Sequence, residues 1–336
     1  MVILITGSTG YLGGQLAKEA FARGHNVRAV VRSEASFKKL AEEFLEYALK
    51  LSYVIAADIT KPESYEGAFG GVVGVIHAAS PFNLQPKDNE EDLLKPAIRG
   101  SLAILGAALR HGKDVKRVVV TSSHASLADL AKGKRAGYVY NEKDWNPITY
   151  EQAADPAADG VTVYCASKAL AERVVWEWAD KHKGAHFDIV AITPPWIFGP
   201  YASELTSTAH LSESVRLIYN LLGAKKVLEF DFGGYADVRE VSAAHLLALE
   251  VPSAGGQRFW VGQSLRWQIV VDVAREEFPE LITRLPEGRP GWIEDAYGVD
   301  GSKAEKILGV KYLTLRETIR DTFAQLLVAE RAEAAS

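Results

Sequence analysis

Short apolar runs alternate with amphipathic stretches through roughly the first 200 residues of this 336-residue chain. Residues 2–6 (Val-Ile-Leu-Ile-Thr) are an apolar β-branched run that reads as a buried strand. Beyond the turn Gly7-Ser8-Thr9-Gly10-Tyr11-Leu12-Gly13, apolar positions Leu12, Leu16, Ala17, Ala20 and Phe21 recur at helical spacing and stop at Arg23-Gly24. Further strands are expected at 26–31, 51–56, 72–76, 117–120 and 187–192. Helices are expected at 36–49, at 90–111 with Pro96 interrupting its first half, and at 164–182. This alternation implies an α/β fold: a doubly wound parallel (Rossmann) sheet with helices on both faces.

Past Pro200 the alternation fails. A helix is expected over 203–222, a glycine- and aromatic-rich segment over 228–238, helices over 241–249 and 315–327, and a proline-rich turn over 285–292. Residues 1–200 therefore read as a dinucleotide-binding domain and 201–330 as a smaller, mostly helical, discontinuous substrate domain. The segment around 230–255 is expected to return to the first, and the tail 329–336 to fray.

Composition narrows the class. A net charge of −5 gives no reason to bind nucleic acid or an anionic membrane. The basic run Lys132-Gly133-Lys134-Arg135 reads as a solvated loop. One cysteine, Cys165, excludes an internal disulfide and a multi-cysteine metal site. His182 and His186 flank a helix end and do not read as a ligand pair, so no metal is expected. No apolar stretch approaches membrane-spanning length and the N-terminus lacks a basic leader, so the expectation is a soluble cytoplasmic protein, monomer or homodimer.

Candidate chemistry follows the glycine turn. A helix N-terminus behind side-chain-free residues suits a dinucleotide pyrophosphate, because unpaired N–H groups and a partial positive charge face it. About 20 residues on, where a carboxylate would select NAD, stands Arg32; a guanidinium pairs with a 2′-phosphate, so NADP(H) is expected. Asp58 and Ile59 close the third strand and are candidates for adenine. Small residues at Ala78 and Ala79 suit close passage of a cofactor, and His77 reads as a core histidine. Tyr164 and Lys168 stand four apart on one helical face. A phenol with a pKa of about 10 needs help to exchange a proton at neutral pH, and a nearby ammonium gives it. Ser123, at a strand's C-terminal end, is placed to donate to a substrate oxygen; Ser122 stands beside it as the alternative.

Together TGSTGYLG (6–13), Asp58, TSS (121–123), YCASK (164–168), TPPWIFGP (193–200) and YADVREV (235–241) resemble the extended short-chain dehydrogenases/reductases. HAASPF (77–82), EKDWNP (142–147) and FGGYADVRE (232–240) are similar to the fungal branch of NADPH-dependent aldehyde and ketone reductases, the methylglyoxal and aldehyde reductase II type. The resemblance implies that Gly7, Ser8, Thr9, Gly10, Tyr11 and Leu12 cradle the pyrophosphate, Arg32 meets the 2′-phosphate, and Asp58 and Ile59 hold adenine. It implies Tyr164 as acid, with Lys168 lowering its pKa and Ser123 polarising the carbonyl, while Pro194 and Ile197 border the nicotinamide. The chain departs from the fungal pattern at Ser36, where a lysine is usual, leaving Lys38 or Lys39 as substitutes. Ala128 replaces the asparagine of the plant dihydroflavonol reductases, which argues against a flavonoid. Phe82, Trp196, Phe198, Tyr201 and Trp292 are apolar candidates for a pocket taking a small hydrophobic carbonyl compound. The expected activity is NADPH-dependent reduction of an aldehyde or ketone. The alternatives are a sugar-nucleotide epimerase or dehydratase and a non-catalytic NADP(H) sensor. The first would need a carboxylate in His124-Ala125-Ser126-Leu127, and the second would be expected to lack Tyr164 or Lys168.

Overall fold

The apolar runs assemble as strands in a computed structural model that describes residues 1–335. In chain order these are β1 (Val2–Thr6), β2 (Asn26–Val31), β3 (Leu51–Ile55), β4 (Val72–His77), β5 (Arg117–Thr121), β6 (Val139–Tyr140), β7 (Asp188–Thr193), β8 (Trp196–Phe198), β9 (Gly234–Asp237), β10 (Arg258–Trp260), β11 (Gln263–Ser264) and β12 (Gly298–Val299). Seven form one parallel sheet in the order β10-β7-β5-β4-β1-β2-β3. The chain winds outward in one direction from β1 to β3 and in the other from β4 to β10. The crevice past the C-terminal ends of β1 and β4 is thus the switch point where ligands bind in such sheets.

Both faces of the sheet are covered, as its continuous apolar strands require. The helices are α1 (Tyr11–Ala22), α2 (Glu34–Glu43), α3 (Lys95–His111), α4 (Tyr150–Ala154), α5 (Gly160–Lys181), α6 (Glu213–Tyr219), α7 (Val238–Glu250), α8 (Trp267–Glu277) and α9 (Leu315–Ala335). Leu16 of α1, Leu40 of α2 and Val241 and Leu246 of α7 pack with Ile3, Ile5 and Ile76 on one face. Ile104 and Ala108 of α3 and Val175 of α5 pack with Leu4, Val75 and Val118 on the other. A second core gathers α6, α8 and α9 beside a small sheet of order β11-β9-β8, through Phe198, Val215, Ile218, Val271, Ile319 and Phe323.

Several expected boundaries shift for identifiable reasons. The helix expected over 36–49 ends at Glu43, where Phe44 leaves helical geometry and a 3-10 segment follows. Phe44 and Tyr47 dock on Phe21 at 5.4 and 4.5 Å, and this aromatic contact turns the chain. Pro96 does not interrupt its helix: residues 90–94 form a π-turn, and Pro96 falls in the first turn of α3, where its missing N–H costs nothing. Of the helix expected over 203–222, only Glu213–Tyr219 is α-helical. Upstream, Ser207 and Thr208 donate their hydroxyls to Glu333 (2.6 and 2.8 Å), side-chain bonding that competes with helix formation. The same bonds anchor α9, so the tail expected to fray from 329 is helical to Ala335; Ser336 lies outside the described residues. Lys132, Gly133 and Lys134 are exposed, as a solvated loop requires; Lys134 pairs with Glu294 and, with Gly133, edges a cavity described below.

Candidate active site

The ends of β1, β2 and β4 open on a cleft of about 770 Å³ whose walls include Gly7, Thr9, Gly10, Arg32, Asp58, Ile59, Ala78 and Ala79. Backbone shapes its floor. Gly7 has φ of +72°, and a Cβ there would lie 2.9 Å from the Ala79 nitrogen; one on Gly13 would lie 2.0 Å from the Gly7 carbonyl oxygen. Glycine is therefore required at both positions. Gly10 starts α1 with no capping side chain, which leaves the first-turn N–H groups for a ligand. The side chains of Ser8, Tyr11 and Leu12 are spent elsewhere. Ser8 is buried beside the Val30 carbonyl, the Tyr11 hydroxyl donates to the Gly199 carbonyl at 2.7 Å, and Leu12 packs into the core. Only their backbone can meet a phosphate.

Arg32 is exposed at the end of β2 and makes no ion pair among the described residues. Lys38 and Lys39 lie off the cleft wall, and the Ser36 hydroxyl sits 3.0 Å from that of Ser33, the residue that caps α2. Arg32 is the member of this group that reaches the cleft. Asp58 Oδ1 accepts from the Thr60 hydroxyl (2.6 Å) and backbone N–H (2.9 Å), bonds that hold its pKa below the usual carboxylate range. The carboxylate is thereby fixed beside Ile59.

At the inner end of the cleft, β5 and α5 bring Ser123, Tyr164 and Lys168 together. Asp159 caps α5, accepting from Thr162 N–H at 2.9 Å. The Tyr164 phenol meets the Ser123 hydroxyl, and Phe82 packs edge-on against the Tyr164 ring at 5.0 Å. Lys168 Nζ lies 5.5 Å from that ring's centre and donates to Ser80 Oγ at 2.6 Å, a partner with no local sequence signal. Burial pulls the Lys168 ammonium down to about 8. Burial also pushes the Tyr164 phenol above its ordinary value, and the contact that acts downward is with Ser123, not Lys168. Desolvation outweighs the effect expected of the lysine. His77 is a core residue: burial lowers it to about 4, the Lys168 charge adds to this, and Nδ1 lies 2.9 Å from Thr6 Oγ1. Ser122 turns away from Tyr164 and donates to Glu172 Oε2 at 2.6 Å, which distinguishes the two serines.

A second cavity of about 250 Å³ is walled by Ala128, Val161, Phe230, Asp231, Phe232 and Tyr297. Val161 lies on the face of α5 that carries Tyr164. Of the aromatic residues picked from sequence, Phe82 touches Tyr164 and Trp196 braces this cavity from behind, donating to Asp231 at 2.8 Å and packing on Phe232. Tyr201 goes elsewhere: it packs on Tyr11 at 4.7 Å between α1 and α9, and its hydroxyl accepts from Ser212 N–H. Phe198 is core, and Trp292 lies on the surface beside Arg289. The Pro194 carbonyl accepts from His124 N–H, and Ile197 is partly buried against the core. Phe230 and Phe232 lie in the glycine- and aromatic-rich segment noted above, whereas nothing local marks Tyr297 or Val161.

Residues 3–262 match the NAD dependent epimerase/dehydratase family. The chain is 34% identical to the NADPH-dependent methylglyoxal reductase GRE2 of Saccharomyces cerevisiae, over 98% of this chain and 99% of that one. The crystal structure of the yeast methylglyoxal/isovaleraldehyde reductase Gre2 complexed with NADPH superposes with a TM-score of 0.91 at 32% identity, covering 99% and 100% of the two chains. That of Gre2 from Candida albicans in complex with NADPH gives 0.89 at 28% identity, covering 98% and 99%.

Proposed function

The chain belongs to the NAD dependent epimerase/dehydratase family, and we propose that it is an NADPH-dependent reductase of small, largely apolar aldehydes or ketones. The observation that carries this is the Tyr164 phenol held against Ser123 beside a buried Lys168, at the inner end of a dinucleotide cleft. When bound, NADPH supplies the hydride that converts the carbonyl carbon to an alcohol carbon, leaving NADP⁺. Ser123 and Tyr164 bind the carbonyl oxygen, and Tyr164 delivers the proton that completes the hydroxyl. Lys168 holds a positive charge beside the phenol, which favours the phenolate left when Tyr164 gives up its proton; a proton from solvent then regenerates the phenol.

The glycine turn and the uncapped α1 N-terminus fit a pyrophosphate, Asp58 and Ile59 fit adenine, and the unpaired Arg32 favours a 2′-phosphate over the bare ribose of NAD. Pro194 and Ile197 border the nicotinamide in this reading, with a backbone group near Ile197 for its carboxamide. Residues 1–200, joined by about 230–255, hold the cofactor in this reading, and the rest of 201–330 closes over the substrate. The substrate's apolar part fits the Val161, Phe230 and Phe232 cavity. The reading extends to a cytoplasmic monomer or homodimer.

An epimerase or dehydratase is disfavoured, because no carboxylate stands in residues 124–127 and Glu172, bonded to Ser122, is already engaged. A pure sensor has no use for both Tyr164 and Lys168. The test is oxidation of NADPH against aldehydes, α-dicarbonyls and aryl ketones, with the alcohol identified. Alcohol formation in step with NADPH loss is expected; tight NADPH binding with no turnover on any of them would overturn the proposal.

A further inference from the structure

Behind Ser123 lies a buried ion pair that touches neither the cofactor cleft's phosphate end nor the substrate cavity. Glu172 is 2% and Arg258 8% exposed. Arg258 uses all five of its N–H groups. Nε and Nη2 reach the two Glu172 oxygens at 2.5 and 3.1 Å, Nη2 also reaches Ser126 Oγ at 3.3 Å, and Nη1 donates to the carbonyls of Glu142 (2.7 Å) and Asp144 (2.9 Å). The guanidinium lies 3.7 Å from the Trp145 ring centre. Glu172 also accepts from Ser122 Oγ (2.6 Å), Ser126 Oγ (2.7 Å) and Trp176 Nε1 (3.0 Å).

The placement of these contacts matters more than their number. Glu172 follows Lys168 by one turn of α5, on the same helical face. Ser122 and Ser126 bracket Ser123 in a 3-10 turn at the end of β5, where the Ser123 carbonyl accepts from Ser126 N–H (2.9 Å) and lies 2.8 Å from its hydroxyl. One carboxylate therefore grips both sides of Ser123 from the helix that carries Tyr164 and Lys168. Arg258 supplies the countercharge that lets it remain buried. A carboxylate left in such a site without its partner is strongly destabilising, so such a pair persists only where the whole network is satisfied.

We infer that Glu172, held by Arg258, is a positioning residue for the reaction: it sets the Ser123 hydroxyl against the Tyr164 phenol through Ser122 and Ser126. This rests on the reductase reading. Ser123 contacts the carbonyl oxygen, Glu172 does not, and the effect of Glu172 must therefore pass through Ser123.

The experiment is a double-mutant cycle between Glu172→Gln and Ser123→Ala, reading kcat, carbonyl KM and NADPH Kd on the full-length protein. Removing a transition-state hydrogen-bond donor costs on the order of 100-fold in kcat. Glu172→Gln is expected to lose about 10- to 100-fold in kcat, with KM and NADPH Kd within about twofold, and to lose less than about twofold more when Ser123 is already alanine. Equal losses in both backgrounds, or NADPH affinity falling as far as kcat, would overturn the inference. Should Glu172→Gln not fold, Ser126→Ala enters the same cycle, removing one bridging hydroxyl without stranding Arg258. There a loss of about three- to tenfold that vanishes in the Ser123→Ala background is expected, and an undiminished loss overturns the inference. Wild-type protein that reduces no carbonyl compound removes the underlying reading instead, so the two failures are distinguishable.

Discussion

The dinucleotide cleft and the second cavity, proposed to take the substrate, are built differently. The phosphate end of the cleft is made locally at strand ends, from a left-handed Gly7, an uncapped helix start at Gly10, and the short side chains of Ala78 and Ala79. The cavity is made from side chains of segments far apart in the chain, with Ala128 after β5, Val161 on α5, Phe232 before β9 and Tyr297 before β12. The first arrangement tolerates little change in sequence, because a Cβ at Gly13 would collide with the Gly7 carbonyl. The second can change one wall residue without disturbing the rest. Under the proposed function, cofactor choice rests on local geometry and substrate choice on long-range assembly.

Tyr164, the proposed proton donor, gives the largest expected effect. Tyr164→Phe should lower kcat by about 1,000-fold or more while leaving NADPH affinity within about twofold, since the proton donor is lost and the cleft's phosphate end is untouched. Stopped-flow turnover and fluorescence titration of NADPH check the two halves. Next comes pH. Burial lowers Lys168 to about 8 from 10.5, so its ammonium is present at pH 7 and is lost as pH rises through about 8. Reductive kcat/KM should fall above that point by up to about tenfold per pH unit, and a profile flat to pH 10 would contradict the role given to Lys168.

On the cavity side, Phe232→Ala should raise carbonyl KM by about five- to tenfold through lost apolar contact, with NADPH Kd unchanged. The smallest effect is expected at Tyr201→Phe. It removes the acceptor for Ser212 N–H at the start of α6, costing about 1 kcal/mol of stability and no more than about a twofold change in KM. A thermal melt beside the kinetics separates the two; a large change in KM would place Tyr201 at the substrate after all.

This contrast also explains what could be read along the chain. Residues 2–6 and 26–31 are strands as their apolar runs predict, and Arg32 reaches the cleft, because a strand end fixes where the next residue lies. Spacing alone could not separate Ser122 from Ser123; Glu172, fifty positions downstream, turns Ser122 away. Nor could it show that Tyr201 leaves the crevice for Tyr11, or that Tyr297 enters the cavity, since both depend on packing between distant segments. The helix expected over 203–222 shortened because Ser207 and Thr208 found Glu333 on α9. Local chemistry was legible where backbone carries it. Where side chains meet across the fold, it was not.

The most direct test is the ratio of kcat/KM for NADPH to that for NADH, measured with several aldehydes and ketones on the wild-type protein and on Arg32→Ala. If cofactor choice resides at the end of β2 and substrate choice in the separate cavity, the ratio should stay constant across substrates and fall by about 10- to 100-fold in the variant. A ratio that tracks the carbonyl compound, or that survives the loss of Arg32, would contradict the account.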